Sequence, residues 1–304
     1  MKSMLTFGPP QSPRRREDCF ALRILLMAAL LLVCSFSAHA HGDSRSDSLW
    51  IEKTLKEASR QSHIKSLPLY FARKFIHTPY VAHTLEVNDR EQLVVNTRQL
   101  DCTTLVENVT ALCLCMKQRQ YDFAAFKKNL LTIRYRNGEI GDYPSRLHYF
   151  SEWISDNGQK GIVTVIDEPL EVFSSRQKLD VFFMSRNAHK YKALEKHPEY
   201  IAEIGRAEQA ISGEEVRYLH KDSIENDDAC RSAIHDGDII AITCNVKGLD
   251  IAHLGFAVWK KDGLHLLNAS QKHKKVVLEP MPLKQYLEQH PSHTGIRVLR
   301  IMCD

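Results

Sequence analysis

The chain has 304 residues, with 41 basic against 37 acidic side chains and 43% hydrophobic content. That length and apolar share can bury a full core in one large or two modest domains, and they exclude disordered, collagen-like and membrane-channel classes. Residues 1–40 hold five of the basic and two of the acidic side chains, leaving 36 against 35 beyond them; so neutral a balance argues against a nucleic-acid binder, which needs a basic face.

Arg14, Arg15, Arg16 and Arg23 precede an apolar run over residues 24–36, and Ala38, His39 and Ala40 form a small-x-small cleavage site. This order predicts a signal peptide over residues 1–40 and an exported protein, periplasmic or secreted. The run falls short of the ~20 apolar residues of a membrane span, so no stable insertion is expected after cleavage. Residues 47–77 read as two helical segments divided at Pro68, with Thr78, Pro79 and Tyr80 stopping the second. The clearest helix covers residues 101–118, where Leu105, Val106, Val109, Leu112, Cys113 and Met116 make one apolar stripe. Residues 121–219 are mostly helical in pattern, interrupted by a turn-rich stretch at 133–153. The last third changes period, and residues 238–244, 251–260, 264–269, 274–278 and 295–302 read as short strands. Helices first and strands afterwards predict an α+β fold with an antiparallel sheet. The expected layout is a single domain over residues 41–304, with its core at about 65–118 and 236–304 and a helical insertion at about 119–235.

Six cysteines lie beyond residue 40: Cys102, Cys113, Cys115, Cys230, Cys244 and Cys303. No pair has zinc-site spacing, and Cys230 with Cys244 is the candidate disulfide pairing. Cys102 stands out because Asp101, Cys102, Thr103 and Thr104 immediately precede the helical stripe. In the first turn its thiol would face unpaired backbone N–H groups, which favour thiolate and can also bind an oxyanion. The plain alternative is a buried structural thiol. A nucleophilic thiol needs a base, and His253 begins an otherwise apolar strand with Gly255 expected to leave open space beside it. If Asp262 and Gly263 form a two-residue hairpin loop, Lys261 faces Leu264 and Asn268 falls on the face of His253. A three-residue loop would swing His265 there instead. Asn268 is therefore the first choice to orient the imidazole, and His265 the reserve. No cofactor or metal is expected; His290 and His293, flanking Pro291, read as a solvated turn.

Together these residues resemble the NlpC-type papain-like cell-wall hydrolases: a cysteine after Asp101 at a helix start, a histidine on a strand, a polar residue on the next. More closely, Thr78 to Val81, Thr84 to Glu86, Leu100 to Asn108 and Ser145 to Tyr149 are similar to the N-acetylmuramoyl-L-alanine amidase-like family. So are Gly237 to Ile240, Gly248 to Asp250, His253 to Ala257 and Asn268 to Ser270, so that the likeness covers residues 67–300. The resemblance implies a papain-like core and hydrolysis of the amide between N-acetylmuramic acid and L-alanine in peptidoglycan fragments (muropeptides). It makes Cys102 the nucleophile, His253 the general base and Asn268 the orienting residue, with Tyr80 helping to line the oxyanion site and no metal required. Family members also carry histidine in the third place, where this chain has Asn268. Muropeptides carry carboxylates, for which arginine forks are suited, so Arg134, Arg146, His148 and Tyr149 are expected to line a specificity wall. The competing expectation is that Leu147, Phe150, Trp153 and Ile154 make an ordinary helix stripe with the arginines in solvent. An endopeptidase acting on the D-Glu–diaminopimelate bond and a non-catalytic peptidoglycan-binding module are the alternative functions. The protein is expected to be a monomer.

Overall fold

The computed structural model describes residues 45–303; the segment expected to be an export signal lies outside the described residues. Five helices come first: α1 (residues 45–59), α2 (Leu67–Lys74), α3 (Cys102–Lys117), α4 (Phe123–Arg134) and α5 (Phe150–Gln159). Next come β1 (Val163–Ile166), β2 (Ser175–Lys178), α6 (Phe183–Arg186), α7 (Lys192–Lys196), α8 (Glu199–Ile211), β3 (Glu215–His220) and α9 (Asp228–Ala233). The chain closes with β4 (Ile239–Cys244), β5 (Ile251–Lys260), β6 (Gly263–Ser270), β7 (Lys275–Leu278), α10 (Leu283–Glu288) and β8 (His293–Ile301).

All strand pairs are antiparallel in one sheet of order β2-β3-β8-β4-β5-β6-β7, with β1 also paired to β8. The fold is α+β. Along β4 the side chains alternate between two cores. Ile239 and Ala241 join the apolar faces of α1 to α5, while Ile240 and Ile242 join α9 and α10 on the other side. A strand covered on both faces reads as a continuous apolar run, which is why residues 239–244 stand out in the sequence.

Three strands lie inside the stretch expected to be helical. β1 and β2 have four residues each, and β2 is Ser-Arg-Gln-Lys, paired only to β3 in the sheet path. Without an apolar residue it carries no period-2 signal. The two helical segments expected over residues 47–77 are present as α1 and α2, but the break falls at residues 60–66 rather than at Pro68. The proline sits in the first turn of α2, where its missing N–H is no loss, and Ser66 Oγ caps the helix by accepting from Leu69 N at 3.2 Å.

α3 is the central helix of the larger core, buried from Thr104 to Cys115. Its start is fixed by a reciprocal cap: Asp101 Oδ1 accepts from Thr104 N at 2.8 Å, and Thr104 Oγ1 accepts from Asp101 N at 2.9 Å. At its far end Lys117 Nζ donates to Met302 O at 2.7 Å, and the Cys113 thiol hydrogen-bonds with Cys303. The candidate Cys230–Cys244 bridge is not formed. Their sulfurs face different carbonyls, Ser223 O at 4.0 Å and Leu249 O at 3.8 Å.

Candidate active site

The β5–β6 hairpin turns on Lys261 and Asp262, with Lys260 opposite Gly263 and Ala257 opposite Leu266. The pairing is slipped by two residues from the one expected, because Gly263, at φ +136°, enters the ladder rather than the loop. A slip of two preserves the face of every side chain. His253 Nε2 accordingly meets Asn268 Oδ1 at 2.9 Å. Since Oδ1 only accepts, Nε2 carries the proton and Nδ1 keeps a free lone pair. His265, the reserve, points from the other side of β6: its Nδ1 donates to Glu279 O at 2.9 Å and its Nε2 faces Asp262 Oδ1 at 3.1 Å. Gly255 does not leave open space. A Cβ there would lie 2.7 Å from Leu266 Cδ1 and from Leu267 O, so glycine is needed for the close packing of β5 on β6.

Cys102, the first residue of α3, and His253 line one cleft of about 240 Å³, together with His148, Tyr149, Trp153 and Phe183. The Leu254 backbone N–H, one residue from His253, donates to the Cys102 sulfur. The expected thiolate is not the resting form. Burial, and secondarily the Asp101 carboxylate, push the Cys102 thiol up to about 12, outweighing the donors from Leu254 and Thr103. Burial also lowers His253, against the opposing effects of the Asn268 hydrogen bond and the Glu279 charge. At neutral pH the cleft therefore holds a thiol and a neutral imidazole, and a proton must move between them before sulfur can attack.

Tyr80 is held by Tyr80 N donating to Lys274 O at 2.9 Å and by a bridge to Leu100. Its hydroxyl is pushed up to about 12 by burial and then by the charges of Cys102 and Asp101. The expected specificity wall splits. His148 and Tyr149 border the cleft, with His148 driven down to about 3 by burial and by Arg146. Tyr149 also has a structural role, donating to Glu208 Oε1 at 2.7 Å and accepting from Met184 N at 2.7 Å. Arg146 lines a second cavity of about 340 Å³ that shares Glu86 and Tyr143 with the cleft. Arg134 lines neither cavity. It is buried against Glu107 Oε2 at 2.8 Å and Val94 O at 2.6 Å, because α4 packs along α3. The competing stripe of Leu147, Phe150, Trp153 and Ile154 is buried in the core, but neither arginine is in solvent.

His293 is not in a solvated turn. It opens β8, is 8% exposed, stacks on His290 at 4.7 Å, and is driven down to about 4 by burial and by His290. Among the described residues no group of three or more His, Cys, Asp or Glu is placed to hold a metal ion, and no helix is long and apolar enough to cross a membrane. The sequence reading did not single out Glu279, which accepts from Asn268 Nδ2 at 3.0 Å. Nothing in its spacing distinguishes it from a solvated acid at a strand end.

The fold and cleft define an α+β protein with a helix-start thiol and a strand imidazole facing one hollow. Over residues 70–296 the sequence matches the N-acetylmuramoyl-L-alanine amidase-like family, and the chain belongs to that family. Its structure is similar to that of an N-acetylmuramoyl-L-alanine amidase from Bacteroides uniformis, with 42% identity, 77% of this chain and 97% of that chain covered, and a TM-score of 0.73. A Bacteroides fragilis protein, provisionally described as a xylanase, is 44% identical over 77% of this chain and all of its own, with a TM-score of 0.72. A Legionella pneumophila protein at 20% identity, covering 86% of this chain and 96% of its own with a TM-score of 0.61, shares the fold. No curated protein matches.

Proposed function

We propose that this chain is an exported cysteine amidase of NlpC-type, papain-like ancestry that cleaves the bond between N-acetylmuramic acid and L-alanine in peptidoglycan or its fragments. The observation that carries the reading is the His253 Nε2–Asn268 Oδ1 hydrogen bond in the cleft that Cys102 lines. Cys102 Sγ attacks the lactyl carbonyl carbon as its proton passes to His253 Nδ1. The carbonyl oxygen becomes an oxyanion, stabilised by N–H groups opening α3 and by the Tyr80 hydroxyl. His253 then gives the proton to the alanine nitrogen, the C–N bond breaks, and the stem peptide leaves with a free amine. Water, deprotonated by His253, attacks the thioester and releases the lactyl carboxylate and the thiol. Acid–base assistance of this kind is worth roughly 10²–10⁴-fold.

Arg146 gives the neighbouring cavity its role in this reading. Arg146 as a residue is 6% exposed, and its Nε and Nη2 have no hydrogen-bond acceptor; Glu91 Oε2 and Glu86 Oε1 lie 3.4 and 4.0 Å from Nη2 as ion-pair partners without hydrogen-bond geometry. A buried donor left unmatched is costly, and a carboxylate on the stem peptide would match it. The test is incubation of the protein, wild type and Cys102→Ala, with defined muropeptides and mass analysis of the products. The amidase gives free stem peptide plus sugar. A dipeptide-bearing sugar would indicate the endopeptidase instead, and cleavage by the alanine variant would end the thiol mechanism.

A further inference from the structure

Glu279 follows β7 with its side chain 3% exposed. Its Oε1 accepts from Asn268 Nδ2 at 3.0 Å and its Oε2 from His273 Nε2 at 3.2 Å. Its backbone is fixed to β6 as well: Glu279 N donates to Leu266 O at 2.8 Å, and Glu279 O accepts from His265 Nδ1 at 2.9 Å. The carboxylate thus has little freedom, and the reaction steps above do not use it.

Its consequence follows from donor and acceptor counts. An ionised carboxylate only accepts, so the Asn268 amide must turn its NH₂ toward Glu279 and its oxygen toward His253. The oxygen in turn demands a proton on Nε2, and the proton-free nitrogen is then Nδ1. With no acceptor at position 279, the amide can rotate by half a turn and offer N–H to Nε2. That arrangement favours the tautomer with hydrogen on Nδ1, which cannot take the proton of the thiol.

We propose that Glu279 is a positioning residue: acting through Asn268, it sets the His253 tautomer, and its charge stabilises the imidazolium formed during turnover. This rests on the assignment of Cys102 and His253 as nucleophile and base. His253 is also faced by Cys102 and Asp101 at the start of α3, and by His290 and His293 from the α10–β8 side, so the effect of Glu279 is read as a change against that fixed background.

The experiment measures, against pH, the rate at which iodoacetamide alkylates Cys102, read on the Cys102 peptide by mass spectrometry, alongside kcat and KM on a muropeptide. Glu279→Met, which keeps the length but has no acceptor, should lower kcat by about 10²-fold, on the scale of a misplaced acid–base group, with KM moving less than about threefold. In an Asn268→Ala background the same change should cost less than about twofold, because the residue it acts through is gone. Glu279→Gln retains an acceptor oxygen and should stay within about tenfold of wild type. Loss of its charge should move the acid limb of the alkylation profile to lower pH. Wild-type kcat in Glu279→Met, an undiminished loss in the Asn268→Ala background, or an unmoved limb in Glu279→Gln would each overturn the proposal. Should Glu279→Met not fold, the Glu279→Gln limb still decides. Alkylation needs no substrate, so a chain that shifts as described yet cleaves no muropeptide would refute the amidase reading and leave the role of Glu279 standing.

Discussion

The cleft at Cys102 and the cavity at Arg146 share Glu86 and Tyr143, yet they are built from opposite materials. The cleft is walled by Trp153, Phe183 and Leu254, and its titratable groups are driven toward their uncharged forms: the Cys102 thiol upward, His253 and His148 downward. The cavity is lined by charges of both signs, among them Arg146, Lys192 and Lys196 against Glu86, Asp89 and Glu91. Where water is scarce, burial keeps nucleophile and base uncharged, so the proton moves only as sulfur attacks and the new charge is met by the oxyanion donors. An ionic group of a ligand needs fixed counter-charges and keeps them only where some water remains. In the proposed function the one hollow carries the chemistry and the other the recognition, and substitutions on the two sides should then separate in kcat and KM.

The largest effect belongs to the sulfur. Cys102→Ala should reduce turnover of a muropeptide by about 10⁴-fold or more, as loss of a nucleophile does elsewhere, while its urea midpoint stays near wild type. His253→Ala should follow, with kcat down roughly 10²–10⁴-fold. Asn268→Ala should cost less, since it removes only the orienting partner; equal or reversed losses would mean that the third residue is misassigned. The pH profile gives the same division another reading. His253 must be neutral to accept the proton, and burial lowers its pKa, so the neutral form persists to more acidic solution. The acid limb of kcat/KM should therefore lie below the ordinary histidine value of about 6.5. A thiol raised to about 12 adds no limb of its own near neutrality. An acid limb above 6.5 would contradict the neutral pair.

Arg134 tests the boundary between the interior and the two hollows. Its partner Glu107 is 2% exposed, so Arg134→Met leaves a carboxylate buried without its cation. Breaking a buried pair from one side costs about 3–5 kcal/mol, to be read as a fall in the urea midpoint. The activity of the folded fraction should be unchanged, because Arg134 touches neither hollow.

Where the backbone repeats, residue numbers alone fix direction. Asp101 and Thr104 form a capping box from a four-residue signal, and so Cys102 at the helix start was legible. His253 and Asn268 meet because strand parity survives even a misjudged turn. Outside regular structure no such rule applies. In residues 133–149 nothing in the sequence separates Arg134, absorbed by Glu107, from Arg146 beside the cavity, since the partners that divide them lie 27 and 55 residues away along the chain. The ionisation of Cys102 was misjudged for a related reason. A helix start argues locally for thiolate, but burial, which depends on the whole fold, outweighs it. β2 escaped because a polar strand needs only a partner, and Glu279 because its burial is conferred by β6.

The smallest expected effect is the one that most sharpens the contrast between the hollows. Arg146→Met removes a guanidinium that lies over the Tyr143 ring at 5.0 Å but has no hydrogen-bond acceptor for Nε or Nη2. The folded chain loses the cation beside Glu91, which keeps only the Tyr135 hydroxyl donating to it at 2.7 Å. The urea midpoint should therefore fall too, though less than for Arg134→Met, whose pair is hydrogen-bonded. A bound carboxylate loses its fork. KM for a fragment with free stem carboxylates should rise about tenfold, the worth of one charge-assisted contact near 1.4 kcal/mol, with kcat held. The same fragment with its carboxylates amidated should be cleaved alike by wild type and variant, whose KM values then converge. If instead kcat falls and KM does not move, the two hollows act as one, and the division of labour drawn from their linings is wrong.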